Sequence, residues 1–151
     1  MAERLLNGGI RAGFEIYSMN WINDYLEKAL YVDGGRGPIE FDCWGLVRDV
    51  RKNLGLRDLP SHGSLRNTDP RSFTKAYREE SSMMVECGPE HGVIAAVLVG
   101  GICVHVATVL LFPDGLRVLE INPTRAARCI KHSAWARDHV KVTYHKDRTD
   151  D

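Results

Sequence analysis

The 151-residue chain has no surplus of either charge: 20 lysines and arginines face 20 aspartates and glutamates. Without a basic excess nothing points to nucleic acid as a partner, and without an acidic block there is no solvating arm. The four cysteines, at 43, 87, 103 and 129, include no CxxC pair. Neither a structural zinc site nor a disulfide framework is favoured, and synthesis in a reducing compartment is the simplest reading. A long unbroken apolar run is also missing. "GVIAAVLVGGICVHVATVLLF" is interrupted by Gly100, Gly101 and His105, and its β-branched content reads as two strands about a turn rather than a membrane span. The first residues lack the basic-then-apolar pattern of a secretory signal, and no segment repeats or is low in complexity. With 44% hydrophobic residues, the chain is long enough to bury the core of one globular domain.

Residues 1–18 carry Gly interruptions and weak periodicity, so they read as an N-terminal extension, with Met19 a conceivable alternative start. From Asn20 onward Trp21, Ile22, Tyr25, Leu26, Ala29 and Leu30 fall on one helical face, with Asn20 as the expected cap. "YVDGGRGPIEF" then reads as a loop. Asp42 is placed to cap a second helix with Leu46, Val47, Val50 and Leu54 on its apolar face and Gly55 at its end. Asp69 and Pro70 open a third. Strands are expected at about 93–99, 102–112, 116–122 and 139–145, with "FPDGL" as a hairpin turn. Helices first and an antiparallel sheet after is an α+β layout. The domain is expected over 19–146, with 147–151 a polar tail.

One cysteine stands out. In "FDCWGLVRDV" Cys43 falls in a first helical turn if Asp42 caps, where the positive end of the helix favours a thiolate. Gly45 would keep side-chain bulk away from the sulfur. The plain alternative is an inward-packed residue, since unpaired cysteine is often buried. A nucleophile needs a base, distant in sequence and near in space. Of six histidines, only His105 sits inside an apolar strand, where an imidazole is costly unless hydrogen-bonded. On "LRVLEIN", period-2 alternation turns Glu120 and Asn122 to one face of the neighbouring strand. Either could orient the ring through its second nitrogen. A zinc set of Cys87, His91, Cys103 and His105 is a weaker alternative, with Cys103 and His105 sharing a strand face. "TRAARCIKH" reads as a solvated basic face or, less simply, as a groove lining. Trp135 is expected to anchor a last helical turn against the sheet.

Together these residues resemble the NlpC/P60 family of papain-like cysteine peptidases. Its pattern runs Tyr-x-x-Gly-Gly, a short loop, Asp-Cys-Ser/Trp-Gly-Leu-Val, then a histidine strand and a further strand bearing a polar residue. Tyr31, Gly34 and Gly35 precede "FDCWGLV" with that spacing; "HVATVL" and "RVLEINP" are similar to the two strands. "DCWGLVRDV", "WINDYLEKALY" and "SAWARDHVKVTYHK" look most like short members carried by tailed bacteriophages and gene-transfer particles. The resemblance implies a papain-like fold, Cys43 as nucleophile and His105 as base, with Tyr31 and the Cys43 N–H holding the oxyanion. It implies cleavage of peptide bonds in peptidoglycan stem peptides, without metal or organic cofactor, by a tail-tip component in contact with other tail proteins. The protein would be made in the host cytoplasm and carried in the virion tail, with no nucleic acid or membrane as partner. Two positions depart from the pattern: Glu120 stands where histidine is usual, and Gly92 is followed by Val93 instead of aspartate. A structural tail-tip or tail-assembly subunit with this fold and little or no hydrolysis is the alternative.

Overall fold

A computed structural model of the chain describes residues 19–149, so the expected extension at 1–18 and the last two residues of the expected tail lie outside the described part. The described residues form four helices and eight strands: α1 (Trp21–Lys28), β1 (Leu30–Tyr31), β2 (Glu40–Phe41), α2 (Cys43–Asn53), α3 (Pro70–Ser82), β3 (Val85–Cys87), β4 (Ile94–Val99), β5 (Ile102–Phe112), β6 (Gly115–Asn122), β7 (Arg125–Lys131), α4 (His132–Arg137) and β8 (Lys141–Lys146). Six strands form an antiparallel sheet in the order β3-β8-β4-β5-β6-β7. The fold is α+β. Among the described residues no helix is long and apolar enough to cross a membrane.

The four expected strands are β4, β5, β6 and β8, and Phe112 pairs with Gly115 across the expected hairpin turn. The other two strands of this sheet were not expected. β3 is only three residues long, and β7 is the "RAARCIK" stretch read as a basic face. Charge concealed β7: its alternation puts Ala127 in the core while Arg128 pairs directly opposite Glu120. The Gly-rich loop after α1 is also better ordered than its composition suggests, because β1 and β2 at its ends pair in parallel.

The apolar run has a simple explanation: both faces of the central strands are covered. Ile94, Ala96, Leu98 and Val106 pack against Trp44 and Val47 of α2 and Phe73 of α3, while Leu110, Leu119 and Ile121 pack against α1 and α2. Ala95, Val97, Ala107, Val109 and Val118 form the opposite layer with Trp135 of α4. Val93 belongs to that layer and is 2% exposed, so valine at this position serves packing.

Two caps behave as expected and one does not. Asp42 Oδ1 accepts from the Gly45 N–H at 2.7 Å, and Asp69 accepts from the Ser72 N–H at 3.2 Å. Asn20 occupies the cap position of α1 but makes no side-chain cap bond, because its backbone is already helical there. In the expected tail, Asp147 is anchored: buried Arg51 reaches both its carboxylate oxygens, at 2.9 and 2.7 Å, and donates to the Arg57 carbonyl.

Candidate active site

The start of α2 is fixed by one carboxylate. Asp42, 1% exposed, caps the helix through Oδ1, accepts from the Gly34 N–H through Oδ2 at 3.0 Å, and pairs with Arg36 at 2.8 Å. Helix and Gly-rich loop are thereby tied at one atom group, and Cys43 is set in the first turn. Gly45 has a different role from the one its neighbourhood to sulfur suggested. A Cβ there would lie 2.1 Å from the Gly35 carbonyl oxygen, so glycine lets the loop backbone cross the helix.

Facing this helix start is the strand pair β5–β6. His105 Nε2 lies 2.8 Å from Glu120 Oε1. With Glu120 ionised, Nε2 is the donor, which leaves Nδ1 free of Glu120; Cys43 lines the same cleft and weighs on the ring's titration. A β-bulge brings the ring there. The register steps between Val97 and Leu98, whose partners are His105 and Cys103, so these two residues do not share a face. Cys103 is fully buried in the cluster around Cys43 and Trp44, whereas His105 joins Glu120. The zinc alternative therefore loses its geometry; among the described residues no cluster of His, Cys, Asp and Glu is arranged to hold a metal ion. Burial pushes the Cys103 thiol up to about 12, against the hydrogen bond to the His105 carbonyl, which lowers it.

Glu120 is 2% exposed among aliphatic strands, a costly place for a carboxylate unless its oxygens are occupied. They are. Oε1 accepts from His105 and from the Trp135 indole N–H at 2.8 Å, and Oε2 accepts from Arg128 Nε at 2.7 Å. Burial favours the protonated acid, but His105, Trp135 and Arg128 outweigh it and hold the carboxyl down at about 2. The imidazole behaves in the mirror sense. Burial pushes His105 down, while hydrogen bonding to Cys43 and Glu120 and the charges of both lift it to about 9. At neutral pH the ring is an imidazolium held by Glu120.

Of the two expected orienters, Glu120 touches the ring. Asn122 instead closes the β6–β7 turn, its Oδ1 accepting from the Thr124 N–H and hydroxyl at 3.3 and 3.1 Å. Tyr31 lines the same cleft as Cys43, His105, Glu120 and Asn122. Burial, then the negative charges of Cys43, Asp33 and Asp42, push its phenol well up, so it stays a neutral O–H donor. That cleft is about 590 Å³, a fair size for a peptide segment. Val97, Val99 and Val104 give it an apolar side; Arg128 and His139 give it a cationic or protonatable one. An apolar void of about 40 Å³ beneath α3, lined by Trp44, Phe73 and Met84, lies apart from this chemistry and is too small for substrate.

Three contributors were not foreseen in these roles. Trp135 was expected as an anchor only, though a buried indole N–H needs an acceptor and so hinted at a partner. Arg128 was hidden in an unrecognised strand. Asn67 carries no sequence signal: it comes from the loop between α2 and α3, and its Nδ2 sits 3.3 Å from the Cys43 sulfur. Cys43 itself is 1% exposed and lines the cleft together with Asn67.

Set against known proteins, the chain matches no protein-family model and no curated protein.

Proposed function

We propose that the protein is a cysteine peptidase of the papain-like NlpC/P60 type that cleaves peptide bonds in peptidoglycan stem peptides as a phage tail-tip component. The carrying observation is that Cys43 and His105 line one cleft at a helix start, with the His105 ring held by a fully occupied Glu120. The Tyr31, Gly34, Gly35 and Asp42–Cys43 pattern supplies the substrate class, and Glu120 stands in for the customary histidine without loss of logic. A carboxylate stabilises an imidazolium directly.

In the reaction, Cys43 Sγ bonds to the scissile carbonyl carbon while the carbonyl π electrons move to oxygen. His105 gives its Nδ1 proton to the leaving amine as the C–N bond breaks. Water then attacks the thioester, its proton passing to His105, and the thiolate departs as the acid is released. Glu120 holds the ring and its charge throughout; it does not need to take the proton.

The test is cleavage of purified stem-peptide fragments under reducing conditions. Wild-type protein releases new amino termini, and Cys43→Ala abolishes release while melting at the same temperature. Wild-type protein that leaves these fragments intact sinks the peptidase reading. One observation favours a second reading, a structural tail subunit with the same fold: the thiol is almost wholly covered. Alkylation against pH separates the two. An activated Cys43 reacts well below pH 8 and loses that advantage in His105→Ala; a structural thiol follows free cysteine.

A further inference from the structure

Resting on the cysteine-hydrolase reading of the site, we propose that Asn67 is a catalytic residue: its carboxamide donates a hydrogen bond to the oxyanion formed when Cys43 attacks a carbonyl. The neighbourhood of the sulfur carries this. Asn67 Nδ2 lies 3.3 Å from Sγ, nearer than its own Oδ1 at 3.7 Å, so it is the N–H edge of the amide that faces the nucleophile. Once a carbonyl carbon is bonded to sulfur, the oxyanion sits only two bonds from Sγ. A donor already at hydrogen-bonding distance from sulfur is then one contact away from that oxygen. Cys43 is the first residue of α2, so its own N–H has no partner within the helix.

The backbone that carries the carboxamide is held in place before any substrate arrives, and a placed donor is an effective one. Asp33 accepts from the Asn67 N–H at 2.7 Å with one oxygen, and from the Thr68 hydroxyl at 3.1 Å and N–H at 3.4 Å with the other. Upstream, four successive carbonyls of the same loop are taken by side chains from the helix and the Gly-rich loop: Leu59 by Arg48, Pro60 by Trp44, Ser61 and His62 by Arg36. A loop pinned at both shoulders fixes the backbone from which the Asn67 carboxamide reaches the sulfur. Asp33 acts through it as a positioning residue.

Two reactions at the same sulfur separate this role from others. Acylation by p-nitrophenyl acetate builds an oxyanion; alkylation by iodoacetamide needs the thiolate but builds none. In full-length protein, Asn67→Ala is expected to slow acylation by about 10²–10³-fold, a fall that alkylation does not share. Asn67→Ser, too short to reach beyond the sulfur, repeats the result in a variant that keeps a polar loop. Acylation and alkylation that both accelerate make Asn67 a cover and overturn the proposal, as do rates that stay equal or fall together. Should His105→Ala leave both rates untouched, the underlying Cys43–His105 reading fails instead, whatever Asn67 does.

Discussion

The two walls of the cleft are built on opposite principles. One wall is sheet: His105 and Glu120 sit on paired strands, and Arg128 stands directly across from Glu120 on the next. Their positions follow from strand register, and one carboxylate collects three donors that the packing had already placed. The other wall is loop: Gly34, Arg36, Asp33 and Asn67 belong to segments without repeating structure, fixed by side chains grasping backbone groups. In the proposed reaction the sheet wall would supply charge and proton transfer, and the loop wall the geometry around Cys43. Each has one hub, Glu120 in the first and Asp42 in the second, and removing them tests the contrast.

Glu120→Ala is expected to be the most damaging change. It leaves Arg128 without its counter-charge, the Trp135 N–H buried and unpaired, and the imidazolium without support, at a cost of about 3–5 kcal/mol in urea unfolding. Activity on stem peptides should fall about 10³-fold or more, since the ring loses both orientation and charge stabilisation. Asp42→Ala comes next. Loss of the cap and of two further contacts to the Gly-rich loop should cost about 3 kcal/mol. If the loop wall depends on Asp42 as described, acylation of Cys43 drops while the His105–Glu120 contact persists, visible as an undisturbed His105 titration by NMR. A collapse of that titration would mean the walls are one unit.

The same contrast explains what could be read in the residues. Period-2 alternation placed Glu120 beside the His105 strand, and cap chemistry placed Cys43 at a helix start, because both obey local rules of the chain. Asn122 was an equal candidate since alternation alone cannot register a bulge; the step in pairing after Glu120 turns Asn122 to the β6–β7 turn. Cys103 was assigned to the wrong face for the same reason, by the bulge in β5. β7 escaped because its arginines mask a core-facing Ala127, and Asn67 because its position depends on Asp33, on a different loop. Distance in sequence with no periodicity between leaves nothing local to read.

Trp135→Phe is a gentler probe of the sheet wall. It keeps most of the buried ring but removes one donor to Glu120 Oε1, for an expected loss of about 2 kcal/mol. The peptidase rate should fall less than in Glu120→Ala, because the imidazole keeps its acceptor. An equal fall in the two variants would show that the indole, and not the carboxylate, sets the ring.

The smallest expected effect, and the one that isolates charge from packing, is Arg128→Gln. In the wild type His105 is raised to about 9 from 6.5, so its contribution to stability is complete below pH 6.5 and disappears as pH rises through 9. Peptidase activity should fall over the same alkaline limb, since a neutral ring has no Nδ1 proton for the leaving amine. Glu120 is lowered from 4.5 to about 2, so its contribution is complete above pH 4.5 and lost as pH falls towards 2. Arg128 touches the carboxylate and shares the sign of the imidazolium. Its replacement should weaken the hold on Glu120 and bring acid unfolding on at a higher pH, while leaving the alkaline limb where it was or moving it upward. A limb that instead moved below 9 would place Arg128 among the groups that sustain the imidazolium, and the carboxylate would no longer suffice as the support of the sheet wall.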